Sequence, residues 1–465
     1  MSNNWRQHLH LEPKKGWLND PNGLCWFQGN YHVYFQYCPT SAQGKGLKCW
    51  GHFSSPDFIH WKLCSPALHP DIPEDRDGVY SGCAVVLQDV LRLFYTGNVK
   101  EPGNYDYITA GRGANVIGVI TLDGFTMSQK QVLLRNCDYP AFCSNHVRDP
   151  KVWHQDGGWY MVLGERSLEG KGGVLVYTSQ DLVHWQYTAL LTTPKPFGYM
   201  WECPDYYCLD GKGILSVSPQ GLEHCSHRYQ NVYQSGWFEV QGSITDAILG
   251  DFTEWDMGFD FYAPQSFLTP DGRRVMIGWM GLPDIEYCNP TVVFGWQHCL
   301  TLPREIFWDS CNRLCQQPIG ELEKLRVHPT ALHSGDILQV QLPFELCGQT
   351  HQSFCLELAS GLRLCYDENK QEASLEFTDT TLGCGRTKRL AKLQHCSNLR
   401  ILADMSSLEI YLDGGSCVFT TRFYPRGSMV LLTLQGFDAV LWQMKHLEVE
   451  VIDTKNTAGN WRSTH

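Results

Sequence analysis

An excess of basic charge is the first thing this chain lacks. Across 465 residues, 37 Lys and Arg stand against 49 Asp and Glu, for a formal charge of −12. Phosphate neutralisation needs clustered cations, so a nucleic-acid partner is excluded. No apolar run approaches the length of a membrane span, which excludes a membrane-crossing helix and, with it, a membrane partner. Low-complexity tracts are missing, and 43% hydrophobic with 18% charged residues is the composition of a globular chain. Helical periodicity is nearly absent, which argues against an α or α/β fold. Cys-x-x-Cys pairs are missing as well. The tightest spacing is Cys311-x-x-x-Cys315, so the usual zinc and dithiol motifs are excluded.

What is present in quantity is cysteine (20), aromatic residues (12%, with 16 Trp) and short apolar runs. Several cysteines (Cys25, Cys83, Cys208, Cys365, Cys417) sit inside apolar runs, where Cys behaves as a small hydrophobe. Met1 to Gln7 is polar and a first motif begins at Trp17, which leaves no room for a secretory leader. Reduced thiols in a cytoplasmic protein are the expectation. The length favours two domains. Oligomeric state is left open by the sequence, a homodimer included.

The runs Leu24–Phe27, His32–Tyr37, Ala84–Leu87, Leu91–Tyr95, Trp159–Leu163 and Val275–Trp279 are bounded by Gly, Asp, Asn and Pro, as in an all-β protein. They belong to a repeat. A polar residue beside Pro or an aromatic opens each unit, followed by a strand, a tight turn and an aromatic-rich strand. The openings are Asn19-Asp20-Pro21, Tyr80-Ser81-Gly82, Arg148-Asp149-Pro150, Glu202-Cys203-Pro204-Asp205 and Tyr262-Ala263-Pro264. A later element recurs as Asp57-Phe58-Ile59-His60-Trp61, Asp181-Leu182-Val183-His184-Trp185 and Asp251-Phe252-Thr253-Glu254-Trp255, with Asp123-Gly124-Phe125 as a weaker relative. Repeats of this length, each of about four strands, predict a five-bladed β-propeller over residues 1–317. Its corresponding positions face one axis, so Asp20, Ser81, Asp149, Glu202 and Tyr262 are expected at one mouth. After the repeat, residues 318–334 read as a linker with a short helix (Pro318–Arg326). Residues 335–453 read as a β-sandwich, and 454–465 as a tail.

Trp17-Leu18-Asn19-Asp20-Pro21-Asn22-Gly23 holds one carboxylate in a stiff frame, since Pro21 restricts Asp20 to extended backbone and Asn22-Gly23 is turn chemistry. An Asx-type turn would account for this motif alone. Three carboxylates converging at one mouth among aromatics match glycoside cleavage instead.

These motifs, with Phe259-Asp260-Phe261-Tyr262-Ala263-Pro264-Gln265, Gly278-Trp279-Met280, Leu302-Pro303-Arg304-Glu305, Asp404-Met405-Ser406-Ser407-Leu408-Glu409-Ile410 and Phe423-Tyr424-Pro425, closely resemble glycoside hydrolase family 32, the invertases and fructan hydrolases. The resemblance covers nearly the whole chain. It implies a five-bladed propeller plus β-sandwich, a small sugar as substrate, and neither metal nor cofactor. By motif it implies Asp20 as nucleophile, Glu202 as general acid/base and Asp149 as transition-state stabiliser. Asn19, Gln36, Trp50, Tyr80, Ser81, Tyr262 and Trp279 match positions around the sugar. Arg148 is expected to pair with Asp149, while burial and the Asp20 charge would raise the Glu202 pKa.

The implied reaction is hydrolysis of terminal β-D-fructofuranosides, sucrose or its 6-phosphate, with retention. For the phosphorylated sugar, Lys45, Lys48 and the His224–Arg228 loop are candidate rim cations. Alternatives are a fructan-degrading exo-enzyme or fructosyltransferase of the same family, an inverting arabinanase-type propeller, and a non-catalytic sugar-binding propeller. The chain departs from the family pattern at Cys38 (commonly Asn), Cys49 (commonly His) and Tyr80 (usually Phe), which bears on substrate preference.

Overall fold

A computed structural model describes residues 5–454, the side chain of His351 excepted; the expected tail from 455 on lies outside the described residues. The chain is all-β, a propeller followed by a sandwich-like sheet. Residues 16–318 form five separate sheets. Their innermost strands are Gly16–Phe27, Val79–Leu87, Cys143–Gln155, Met200–Leu209 and Tyr262–Leu268. Each touches the next, and the last touches the first, so the ring closes around an axis.

Apolar side chains fill the wedges between neighbouring sheets. Cys25, Tyr34 and Trp50 meet Leu93 and Tyr95 between the first and second. Val162, Val174 and Val176 meet Trp201, Leu215 and Phe238 between the third and fourth. Burial of these two-sided strands is the main stabilising term of such a fold.

Both sequence repeats have structural counterparts. The Asp-x-x-x-Trp element is the turn between the third and fourth strands of a sheet. Asp57 accepts from the N–H groups of Ile59 and His60, Asp181 from Val183 and His184, and Asp123 from Phe125 and Thr126. Phe58, Leu182 and Gly124 take the left-handed backbone that each turn requires. The opening motif is a β-bulge on the innermost strand. Register slips between Leu18 and Pro21, Val79 and Gly82, Glu202 and Asp205, and Tyr262 and Gln265. Proline has no N–H for the ladder and displaces its predecessor from helical backbone, so the extra residue collects there. Asp149, Cys203 and Ala263, each before a proline, have φ of 66°, 48° and 48°.

Beyond residue 326 a ten-stranded sheet folds back on itself. It includes Phe344–Leu358, Leu362–Asp367, Asn398–Ala403, Ser407–Leu412, Cys417–Arg422 and Met429–Met444. Three details differ from expectation. The short helix is a 3-10 turn over Gly320–Leu325. The last strand, Glu448–Val451, leaves the sandwich and pairs in parallel with His60–Leu63 at the outer edge of the first propeller sheet. Alternation of side chains identifies a strand but not which sheet edge will accept it. Cys355 and Cys365, directly opposite in the ladder, form a disulfide, where reduced thiols were expected.

The sandwich is tied to the propeller by buried charge. Arg304 contacts Glu409 at 2.8 Å and Asp256 at 3.1 Å, and Arg386 grips Asp260 through two 2.7 Å bonds. His10 joins the same network, its ring nitrogens 2.8 Å from Asp404 and 3.0 Å from Glu409. Burial by itself would lower the His10 pKa. Its hydrogen bonds and the two carboxylate charges outweigh this, and the pKa rises from 6.5 to about 9. A cation whose folded pKa is raised contributes stability that is full below the unfolded value and is lost as pH climbs through the folded one. Thermal stability is therefore expected to fall between about pH 6.5 and 9, by on the order of 3 kcal/mol from this group. Melting curves of His10→Gln across that range test it, because the variant should lose this part of the slope; an unchanged slope rejects the assignment.

Candidate active site

The bulges aim two successive side chains of each innermost strand at the same end of the axis. Aligned on Pro21, Gly82, Pro150, Pro204 and Pro264, one ring is Asn19, Tyr80, Arg148, Glu202 and Tyr262. The next is Asp20, Ser81, Asp149, Cys203 and Ala263. The five residues expected at corresponding positions are thus drawn from two adjacent rings. They still meet, because the sheets converge there. Asp20, Ser81, Asp149, Glu202 and Tyr262 line one cavity of about 240 Å³, with Trp17, Asn19, Gln36, Lys48, Tyr80, Arg112, Arg148, Trp279 and Pro283.

Asp20 sits deepest. Its carboxylate accepts from Ser81 Oγ at 2.5 Å and from Asn19 Nδ2 at 3.1 Å. Asn19 is held in turn by Trp17 Nε1 and by a short contact to Gln36. Asn22 reaches back to the Asp20 carbonyl and receives the Gly82 N–H, which ties the first two sheets together under the acid. Burial raises the Asp20 pKa; the Ser81 and Asn19 hydrogen bonds oppose this, and the Glu202 charge adds to it.

Asp149 accepts from the Cys203 N–H at 2.9 Å. Its pKa is pushed up to about 7, first by burial. Arg148 opposes that rise, while Glu202 and Asp20 reinforce it. The Cys203 sulfur lies 3.6 Å from Asp20 Oδ2 and 3.5 Å from Asp149 Oδ2, so one atom bridges the two acids. Its thiol is held protonated by burial and by the surrounding carboxylates.

Glu202 is met by three donors: Arg148 at 2.7 and 3.1 Å, Gln220 Nε2 at 2.7 Å and Tyr262 OH at 2.7 Å. Arg148 therefore serves chiefly Glu202, not Asp149 as expected; its nearest approach to Asp149 is 3.9 Å. Both side chains face the cavity, and the guanidinium turns toward the next sheet, where Glu202 stands. Arg148 also meets His146 at 2.8 Å; burial and the nearby guanidinium groups lower the His146 pKa to about 3.

Trp50 is a correction. It is fully buried on the third strand of the first sheet, wedged into the core against the second, and its indole donates to the Tyr80 carbonyl at 2.9 Å. It braces the Tyr80–Ser81 backbone and does not line the cavity. Trp279 does line it, edge-on to Trp17 and Tyr262. Lys45 is exposed and does not line the cavity. The His224–Arg228 loop lies elsewhere: His227 pairs with Glu372 and Arg228 stacks on Tyr229. Sequence reasoning missed Arg112 and Pro283 as wall residues and Gln220 as a donor to Glu202, and no motif surrounds them. It quoted Trp17 and Cys203 within motifs without giving them a place at the site.

Opposed buried carboxylates at the mouth of a propeller, one held by hydroxyl and amide donors and one by a guanidinium, define a glycoside hydrolase type of site. Comparison with known proteins agrees. The model of the Glycosyl hydrolases family 32 N-terminal domain matches residues 10–318, and that of the family 32 C-terminal part matches residues 313–444. The chain is 37% identical to a sucrose-6-phosphate hydrolase of Bacillus subtilis over 90% of its own length and 89% of that protein. It is 35% identical to a raffinose invertase of Escherichia coli, covering 95% and 96%. Among solved structures, the sucrose-6-phosphate hydrolase of Lactobacillus gasseri superposes with a TM-score of 0.88 at 28% identity over 96% of this chain and 94% of that one. The family 32 beta-fructofuranosidase of Bombyx mori gives 0.85 at 29%, over 97% and 96%. The chain belongs to glycosyl hydrolases family 32.

Proposed function

We propose that this enzyme hydrolyses terminal β-D-fructofuranosides, namely sucrose or its 6-phosphate, with retention through a fructosyl-enzyme ester. The observation that carries the reading is the meeting of Asp20, Asp149 and Glu202 in one cavity from three different sheets. The printed names of the relatives support the substrate class, as does a Bombyx mori beta-fructofuranosidase variant solved with sucrose.

In this reading Asp20 attacks the anomeric carbon of the fructosyl unit, while Glu202 gives a proton to the departing glycosidic oxygen. The ester then falls to a water whose proton Glu202 takes. Retention of this kind goes with carboxyls roughly 5–5.5 Å apart. Asp149 receives fructose hydroxyls, and Asn19, Gln36 and Ser81 keep Asp20 aimed. Tyr262 and Arg148 hold Glu202, with Tyr80, Trp17 and Trp279 as walls.

We also read the five sheets as five blades and residues 1–317, 318–334 and 335–453 as propeller, linker and sandwich, apart from the strand at Glu448–Val451. The unpaired state of every cysteine but Cys355 and Cys365 favours a reducing compartment, the cytoplasm. The test is proton NMR of sucrose hydrolysis. Initial release of β-fructofuranose is the expected result; initial release of the α anomer overturns the double displacement, and no cleavage of sucrose or its 6-phosphate overturns the reading.

A further inference from the structure

A second cavity, of about 600 Å³, lies at the end of the propeller axis opposite the acids. All five innermost strands line it, through residues 24–26, 84 and 86, 151–155, 206–208 and 266–268. These positions follow Asp20, Ser81, Asp149, Glu202 and Tyr262 along the same strands by two to six residues. At roughly 3.3 Å per residue, the lining reaches up to about 20 Å beyond the acids. The two cavities share no residue.

Its lining holds two cations, Lys151 and Arg274, and no carboxylate. Lys151 is matched from behind: its Nζ lies 2.8 Å from Asp205 Oδ1 and donates to the Ser266 carbonyl at 2.8 Å. Asp205 Oδ2 accepts the Ser266 N–H at 2.6 Å, so both oxygens of that acid are taken. Arg274 is left over. It makes neither an ion pair nor a side-chain hydrogen bond among the described residues, and its guanidinium carbon rests 4.7 Å from the Tyr207 ring centre. Its Nε is buried without a partner, as are Tyr207 OH and Ser266 Oγ beside it. A buried guanidinium with no anion is costly to hold, and burial lowers the Arg274 pKa against the pull of Asp205.

The rest of the lining is largely apolar. Trp153 packs 4.7 Å from Tyr206, Trp26 stands half-buried, and Leu268 and Val86 are 57% and 44% exposed. Apolar walls around one unmatched fork of N–H donors recognise an organic anion. A bare inorganic ion would leave the rings uncovered, and a neutral molecule would leave the guanidinium unpaired. One surplus charge calls for one carboxylate. We infer that this cavity is a binding site for a small organic carboxylate, with its anion on the Arg274 guanidinium and its apolar body against the aromatic wall. The inference stands apart from the fructosidase reading, since no residue of the acid cluster takes part.

The competing account is that this end of the axis only holds solvent. Ligand-observed NMR titrations of the full chain with benzoate, hexanoate, benzamide, hexanamide and inorganic phosphate decide between them. At least one carboxylate is expected to bind with a Kd below about 1 mM and about 10-fold or more tighter than its own amide. Arg274→Gln should remove that advantage and leave the amide's affinity unchanged. Leu268→Glu should do the same with Arg274 still in place. Leu268 is directly opposite Arg274 in the ladder, so the new acid competes for the guanidinium from within the chain, and the site is exposed enough to accept it without refolding.

Carboxylates that bind no tighter than their amides, or no tighter than about 1 mM, overturn the site. Inorganic phosphate binding as tightly as the better carboxylate overturns the ligand class, leaving a simple anion sink. Carboxylate binding that neither substitution weakens also overturns the inference, because the anion then lies elsewhere, the catalytic cavity with its own Arg148 included.

Discussion

Asp20→Asn is expected to lower kcat on sucrose by about 10⁴-fold or more, with the fold intact. An amide keeps the shape of the carboxylate and can still accept from Ser81, so the bulge at Pro21 has no reason to move. What it loses is the lone-pair charge that forms the ester. The structure adds a second, less obvious expectation. Burial raises the Asp20 pKa, so its ionised form at neutral pH is disfavoured in the folded state. Replacing it by a neutral group removes that cost, and the variant should melt at the wild-type temperature or slightly above it. Near-normal turnover would reject Asp20 as nucleophile. Lost turnover with a much lower melting temperature would mean that the acid holds the fold and not the reaction.

Glu202→Gln is expected to slow sucrose cleavage by about 10³-fold or more, but unequally across substrates. The amide retains contacts with Gln220, Tyr262 and Arg148 but has no proton to give. A fructoside whose leaving group departs as a stable anion needs none. Its first step should recover by orders of magnitude, seen as a burst of leaving group followed by slow turnover. A small anion such as azide, which attacks without a base, should then speed the second step. If all leaving groups are slowed alike, Glu202 is not the proton donor. The signature would then shift to whichever residue restores that dependence.

Much of the fold was legible because its signals are local and repeated. X-Pro dipeptides at four of the five strand openings report a missing ladder donor, and the Asp-x-x-x-Trp element reports a capped turn with left-handed backbone at Phe58 and Leu182. Both are written within a few residues of where they act. From them follow the strands, the repeat and the side of the axis to which Asp20, Asp149 and Glu202 belong.

The misses share a different cause. Trp50 and Gln36 are directly opposite in the ladder, yet one fills a wedge between sheets and the other faces the cavity. The distinction depends on how two sheets splay, and no sequence window contains both. Arg148 adjoins Asp149 in the chain but reaches Glu202 across a sheet boundary. The strand at Glu448–Val451 reads like its sandwich neighbours and pairs with the propeller.

Local backbone chemistry alone was enough to specify the repeating strand units, their bulges and the three acids, since proline, glycine and alternating burial act over a handful of bonds. Which donor serves which acid was decided only when separate sheets closed on one axis. Those contacts join atoms tens to hundreds of residues apart, and their energies depend on distance and burial that exist only in the folded chain.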